Sequence, residues 1–151
     1  LAALLAGVPA GQPLVAVVHA DLPVGATRTD PQDAAALDAD LRRSADAAWN
    51  LHELTLEQPL TAFLLLSSSA GLMHGAGQGA RAAAAGFLSS LARHRRTLGL
   101  AATALAFGPW EAAAAPAGQT ELLASLGLPA LGAKRGLALL DEALRTPEAD
   151  L

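Results

Sequence analysis

Three consecutive serines, Ser67, Ser68 and Ser69, are the first residues whose type and position could do chemistry. They follow an apolar run that begins at Leu60, so they would stand at the end of a buried strand. A hydrolase nucleophile is expected within a Gly-x-Ser-x-Gly pattern, which the sequence lacks. Without further information, polar residues that simply end the strand are the better interpretation.

Glycines, histidines and arginines supply the other candidates for chemistry. The stretch Gly75–Gly79 could bind phosphate, but its spacing matches no phosphate motif, so a turn that requires small residues fits better. The four histidines are dispersed, none at helical metal-ligand spacing from another, and we expect no metal site. Arg81 could form an anion patch with three later arginines, which we interpret instead as the solvated end of a helix. The histidines are His19, His52, His74 and His94, and the three arginines are Arg93, Arg95 and Arg96.

Composition excludes several classes of function. The 151 residues carry a formal net charge of -4 and only 3% are aromatic, so neither charge nor stacking surfaces favour nucleic-acid binding. Cysteine and tyrosine are absent, and Lys134 is the only lysine. No apolar run approaches the roughly 20 residues of a membrane-spanning helix. We therefore expect no nucleic-acid partner, no membrane partner and a cytoplasmic location.

The hydrophobic pattern predicts strands and helices in alternation. The first strand, rich in valine, is expected to be buried on both faces. Strand followed by helix at this spacing predicts a parallel sheet with right-handed crossovers. The predicted strands are Pro13–Ala20, Leu60–Ser67 and Ala101–Phe107, and the predicted helices are Asp33–Leu54, Arg81–Leu98, Thr120–Leu126 and Lys134–Leu144.

A sheet of about three parallel strands would leave the first strand with an open, strongly apolar edge. More chain upstream would cover that edge. We therefore predict an α/β fold, specifically the C-terminal half of a doubly wound parallel sheet with flanking helices. The apolar residues 1–9 are interpreted as part of a longer chain and not as a signal peptide.

Five short motifs follow one another along the chain at intervals that match one protein family. Phe63–Gly71 holds a Ser-Ser-x-Ala-Gly strand end, and Phe107–Trp110 holds Phe-Gly-Pro-Trp. Trp49–Thr55, Gly75–Gln78 and Gly136–Asp141 complete the series. Together they resemble the ketoreductase domains of modular type I polyketide synthases, in the short-chain dehydrogenase/reductase superfamily. The resemblance, from Pro13 to about Leu144, implies a Rossmann-like fold.

The resemblance also implies an activity. Members of this family normally use NADPH to reduce the 3-keto group of an acyl chain carried by an acyl carrier protein. Their nucleotide is bound by a glycine-rich turn after the first strand of the sheet. That turn is not in this sequence, so residues 1–151 are expected to be a partial ketoreductase domain that lacks the N-terminal nucleotide-binding half.

Four catalytic positions carry over from the family, and three of them are altered. The serine falls on Ser68 and is retained. The tyrosine that protonates the developing alkoxide falls on Arg81, the asparagine of the proton relay on Ala85, and the lysine that lowers the tyrosine pKa on Ser44. Arginine stays protonated at neutral pH and cannot supply that proton. A general acid contributes about 10²–10⁴-fold to such a rate.

The resemblance places the start of the cofactor site directly after the first strand, where the family has His-Ala-Ala-Gly. Here Asp21 and Leu22 put a carboxylate and a bulky side chain where small residues let the nucleotide approach. We therefore predict no cofactor for this chain, with NADPH as the cofactor only if the family activity survives.

These observations favour a redox-inactive ketoreductase-like domain. It would be retained as a structural element of its synthase module and would leave the 3-keto group unreduced. The alternatives are an NADPH-dependent 3-ketoacyl reductase, an epimerase of the carbon beside the ketone, and an interaction fragment that pairs with a separate N-terminal half. The expected partners are the other domains of the module, the missing half of the fold and the acyl carrier protein.

Overall fold

The structure, a computed structural model, describes residues 1–9, 11–20, 34–69, 79–111, 124 and 127–151. Within these ranges strands and helices alternate as the sequence predicts. The predicted helix at Thr120–Leu126 and the glycine-rich stretch before Gly79 lie almost wholly outside the described residues, as do Asp21 and Leu22. The strands are β1 (Ala16–His19), β2 (Ala62–Ser68) and β3 (Thr103–Phe107); the helices are α1 (Ala2–Ala6), α2 (Ala34–Leu41), α3 (Ala47–Leu54), α4 (Gly79–Thr97) and α5 (Ala133–Ala143).

One long predicted helix is interrupted in the structure. A π-helical turn, Arg42–Asp46, joins α2 to α3 without a break in the chain's helical course. The residues of α1 also form a helix that the apolar pattern of the first nine residues did not predict. Both differences are short-range features that hydrophobic periodicity does not resolve.

The three strands form one parallel sheet in the order β1-β2-β3, as predicted. β1 stands at the edge, and Val18 on its outward face is 56% exposed. The expectation that β1 is buried on both faces is therefore wrong for this chain, because only Val17 and His19 turn to the interior. The expectation of an apolar strand at the sheet edge is confirmed.

Successive residues of β2 point to opposite faces of the sheet and enter two different cores. Phe63 and Leu65 pack with Leu88 and Leu91 of α4 on one face. Leu64 packs with residues of β3 and α5 on the other face. A strand whose central positions are all apolar, as Phe63 to Leu66 of β2 are, requires this double burial. The two-faced packing makes β2 the centre of the fold.

The last three residues add a segment to the outer edge of β3 that the sequence did not predict. Ala104 and Ala106 donate backbone hydrogen bonds to the carbonyl oxygens of Ala149 and Leu151, at 2.9 and 2.8 Å. The bridge between Ala104 and Asp150 is parallel, like the rest of the sheet. This segment covers the edge that β3 would otherwise leave open.

Arginines of α4 hold that segment in place. Arg96 donates to the carbonyl oxygens of Pro147 (2.8 Å) and Glu148 (3.2 Å), and also to the carbonyl oxygen of Ala102 (2.8 Å). Arg93 forms a salt bridge with Asp150 at 2.8 Å. The end of α4 is thus tied to residues more than fifty positions away in the chain.

An aromatic ring fixes the position of α5. Trp110 and Leu131 form a parallel bridge, which brings the indole of Trp110 over the first turn of α5. A Cβ atom added at Gly136 would lie 2.3 Å from Cη2 of that ring. Only a residue without a side chain allows this approach.

We predict that Gly136→Ala destabilises the domain by about 1–3 kcal/mol, because the methyl group forces the indole or the helix to move. Urea unfolding of the complete domain that contains these residues measures the change. Gly86→Ala in α4 is the matched control, because a Cβ there meets nothing within 4 Å. The control should gain roughly 0.5–1 kcal/mol from helix propensity. Equal effects at the two sites would contradict the packing argument.

Arg96 should be the main side-chain support of the C-terminal segment Ala149–Leu151. Arg96→Met should destabilise the domain by about 1–3 kcal/mol through the loss of its charged hydrogen bonds. It should also speed amide hydrogen exchange at Ala104 and Ala106, whose acceptors lie in that segment. Arg93→Met, which breaks a largely exposed pair, should cost no more than about 1 kcal/mol. Unchanged exchange in Arg96→Met would show that the backbone hydrogen bonds alone hold the segment.

Candidate functional site

Ser68 is the last residue of β2 and lies at the carboxyl edge of the sheet. It is half-buried and stands in register with Phe107, the last residue of β3. The carboxyl ends of parallel strands are where open α/β sheets bind their ligands. The position therefore suits a hydroxyl that contacts a bound substrate.

Arg81 and Ala85 lie one turn apart near the start of α4. Residues four apart face the same side of a helix, so these two positions share one face. Arg81 is half-buried, whereas Ala85 is 4% exposed and packed into the interior. The pair offers a permanently charged guanidinium and a methyl group, and neither can release a proton at neutral pH.

Ser44 lies inside the π-helical turn. Such turns are frequent at functional sites because they reposition side chains within a helix. Ser44 is 5% exposed, and the turn that carries it packs against α4. The structure thus brings the segment with Ser44 against the helix with Arg81 and Ala85.

No lysine is available to replace an ammonium group at this position. The chain's only lysine, Lys134, is the second residue of α5 and lines an open cavity together with Glu111 and Gly132. The short, uncharged Ser44 side chain cannot supply a positive charge to a neighbouring group. Among the described residues at the positions carried over from the family, the site has a hydroxyl at Ser68 and a guanidinium at Arg81, and none of these positions holds an acid or base that titrates near neutral pH.

The sequence suggested that the three arginines at the end of α4 form a solvated helix end, and the structure shows that they do not. Arg93 is exposed, but Arg96 is half-buried and bonded to carbonyl oxygens, and Arg95 is 0% exposed. Arg95 lies between α3 and β2, with its guanidinium carbon 3.9 Å from the ring centre of Phe63. A charged residue in a basic run gives no sign in the sequence of such burial.

Two histidines that are far apart in sequence meet beside Arg95. The rings of His52 and His94 lie 5.5 Å apart, and both contact Trp49. Nδ1 of His52 lies 3.1 Å from Nη1 of Arg95.

In the described part of the chain, no group of three or more His, Asp or Glu side chains could hold a metal ion. Across the same residues, no helix combines the length and apolar character needed to cross a membrane.

A parallel sheet with helices on both faces, and polar side chains where its strands end, defines a Rossmann-like α/β protein. Comparison with known proteins gives the family. Residues 1–112 match the family model described as "KR domain". The chain belongs to the ketoreductase domains of modular polyketide synthases.

Individual relatives agree with this assignment. The chain is 47% identical over 151 residues to "Polyketide synthase GfsB" of Streptomyces halstedii, covering 97% of this chain and 3% of that protein. It is 45% identical over 146 residues to "Erythronolide synthase EryA2" of Saccharopolyspora erythraea, covering 96% and 4%. A solved structure, "Structure of A1-type ketoreductase", is 35% identical with a TM-score of 0.81, covering 99% of this chain and 32% of its own. The chain thus spans a small part of each synthase and about a third of the solved ketoreductase.

The ketoreductase family is NADPH-dependent, and the residues present fit that cofactor poorly. The resemblance assigns contact with the ribose to a lysine, whose position holds the buried hydroxyl of Ser44. The serine side chain is shorter than that of lysine and carries no positive charge, so it does not replace an ammonium group that reaches a ribose.

Proposed function

We propose that this chain is part of a ketoreductase domain that does not reduce its substrate. The domain serves its module as a structural element and leaves the 3-keto group of the carrier-bound chain unreduced. One observation carries the proposal: Arg81 occupies the position that the resemblance assigns to the proton-donating tyrosine. The chemistry of that residue decides whether a hydride transfer could be completed.

Reduction of a ketone produces an alkoxide that must receive a proton. A phenol whose pKa is lowered by a neighbouring ammonium can give that proton near neutral pH. The guanidinium of Arg81 could hold the negative oxygen by charge, but its pKa is too high for it to act as the acid. The charge of Arg81 therefore does not substitute for the missing proton.

The two positions that would support a proton donor, Ala85 and Ser44, also lack the groups that proton transfer needs. Ala85 presents a buried methyl group where a relay of protons would need a polar atom. Ser44 removes the positive charge that would lower the pKa of a phenol. The three changes lie on elements that contact one another, and together they support loss of the whole proton-transfer set, not of one residue.

Ser68 favours one alternative, an epimerase of the carbon beside the ketone. A hydroxyl at the carboxyl end of β2 could polarise a ketone oxygen and so acidify the neighbouring C–H. The reaction would still need a base to take the proton, and Arg81 cannot serve as one. We therefore rank this activity below the structural role.

The proposed partners are inferred from the length of the related synthases. The relatives are far longer than this chain, and we propose that residues 1–151 form a partial domain completed by a nucleotide-binding half elsewhere. Neighbouring synthase domains and the acyl carrier protein are the proposed contacts, in the cytoplasm. The alternative of a fragment that pairs with a separately encoded half shares these contacts.

We predict that the complete domain neither binds NADPH nor reduces a 3-keto diketide thioester. The variant Ser44→Lys with Arg81→Tyr, Ala85→Asn, Asp21→Ala and Leu22→Gly should gain measurable reduction, because it restores the acid, its charge and the relay and returns small residues to the start of the cofactor site. Cofactor fluorescence and mass analysis of the hydroxy thioester provide the two measurements. Reduction by the unmodified domain would overturn the proposal.

A matched control isolates the proton donor. The same variant with Arg81→Phe in place of Arg81→Tyr has the ring without the hydroxyl, and it should be slower by about 10²–10⁴-fold. Circular dichroism of each variant checks that the domain folds. Equal rates for the two variants would refute the assignment of position 81, even if the unmodified domain is inactive.

The epimerase alternative has its own measurement. A thioester that carries deuterium beside the ketone should keep its label in the presence of the domain at the rate seen in buffer. Label loss that disappears in Ser68→Ala would establish the epimerase instead. Label loss above the buffer rate that persists in Ser68→Ala would also contradict a purely structural role, and it would show that a group other than this hydroxyl promotes the exchange.

A further inference from the structure

A buried arginine with neutral partners lies at the interface of α3, α4 and β2. Arg95 donates hydrogen bonds to the carbonyl oxygen of Ala101 (3.2 Å, from Nε) and contacts Nδ1 of His52 (3.1 Å, from Nη1). The face of its guanidinium covers the ring of Phe63. All three partners stabilise a cation, yet none of them carries a negative charge.

The chemistry of arginine fixes the protonation state of His52. A guanidinium has five N–H donors and no acceptor, so Nδ1 of His52 must be the acceptor. Nδ1 therefore carries no proton, and the imidazole is neutral with its proton on Nε2. The contact exists only in this one form of the ring.

A proton on Nδ1 reverses the interaction. Two N–H donors would then face each other at hydrogen-bond distance, and two positive charges would share a buried site. We propose that the contact between His52 and Arg95 is a pH-sensitive latch between α3 and α4. It is closed while His52 is neutral and released when His52 becomes protonated.

The other charged groups around the imidazole decide how strongly the latch responds. From α4, His94 faces His52 edge-on, and a second positive ring there would add to the repulsion from Arg95. From the same helix as His52, Glu53 acts in the opposite direction. The pKa of His52 lies below its ordinary value because burial disfavours the charged ring, and because Arg95 and His94 repel it.

The sign of the effect on stability follows from linkage. In the unfolded chain His52 titrates near the ordinary value of 6.5, and in the folded chain it titrates lower. The contribution to stability is complete above the unfolded value and falls as the pH drops from there through the folded value. For each unit that separates the two values, the unfolding equilibrium constant rises about tenfold at low pH.

The test is urea unfolding of the complete domain between about pH 7.5 and about pH 5, where histidine titrates. The unmodified domain should lose stability as the pH falls. His52→Asn, whose amide oxygen can accept from Arg95 in place of Nδ1 and does not titrate, should lose less over the same range. His94→Asn is the matched control and should keep most of the loss, because it leaves the latch intact.

A second measurement reads the titration of His52 itself in the unmodified domain. Histidine resonances followed by NMR in the unmodified domain give the pKa of His52 directly, with His52→Asn used for assignment. A value clearly below 6.5 is expected, and in Arg95→Met it should rise. The proposal is overturned if His52 titrates at or above the ordinary value, or if His52→Asn keeps the full pH dependence of the unmodified domain.

Trp49 reports on the latch locally, because its ring lies 5.0 Å from that of His52. The chain has two tryptophans, so Trp110→Phe leaves Trp49 as the sole emitter among these residues. Its fluorescence should change with a midpoint that matches the NMR value for His52. A midpoint that follows His94 alone would contradict the latch.

Discussion

The buried positive charge of Arg95 connects three elements at the centre of the fold, α3, α4 and β2. Arg95 joins α4 to α3 through His52 and to β2 through Phe63. Its carbonyl oxygen also accepts hydrogen bonds from Leu98 and Leu100, across a turn in which Gly99 adopts a φ of 75°. A cation at the carboxyl end of a helix is favoured by the helix dipole, which offsets part of the cost of its burial. One residue therefore ends α4, starts the path to β3 and fixes the neighbouring helix.

The residues that hold the helices together can be compared with the positions at which we propose that catalytic groups have been lost. The resemblance assigns the reaction to the positions of Ser44, Arg81 and Ala85. These positions lie on the helices that Arg95 and the alanines of α4 hold together. Arg95, however, is at the opposite end of α4 from Arg81 and Ala85. Ala85 even contributes to the core, where a methyl group packs without leaving a polar atom unsatisfied. The residues that maintain the shape are thus largely separate from those that would perform the reaction. Loss of the second set leaves the first intact.

The sequence predicted the parts of the structure that depend on local pattern. The apolar run from Leu60 implied a buried strand, and the alternation of elements implied a parallel sheet. The burial on both faces that was expected of β1 is found at β2 instead. The proposed catalytic positions came from the resemblance to the ketoreductase family, one position at a time, and they remain predictions. The burial of Arg95 could not be predicted, because a basic run at the end of a helix is typical of solvent exposure. The strand-like segment at Ala149–Leu151 was equally hidden, since its backbone hydrogen bonds depend on Ala104 and Ala106, far away in the chain.

The pairing of the last residues with β3 bears on how such modules can be recombined. The family model matches residues 1–112, yet the hydrogen bonds of β3 continue to Leu151, and Asp150 also accepts from Ser89 and Arg93 of α4. A splice junction placed at the end of the recognisable motifs would separate β3 from the chain that protects its outer edge. An exposed parallel strand of that kind invites pairing with other molecules. A hybrid synthase built from this domain should therefore keep residues 113–151 together with β3, in one unbroken exchange unit.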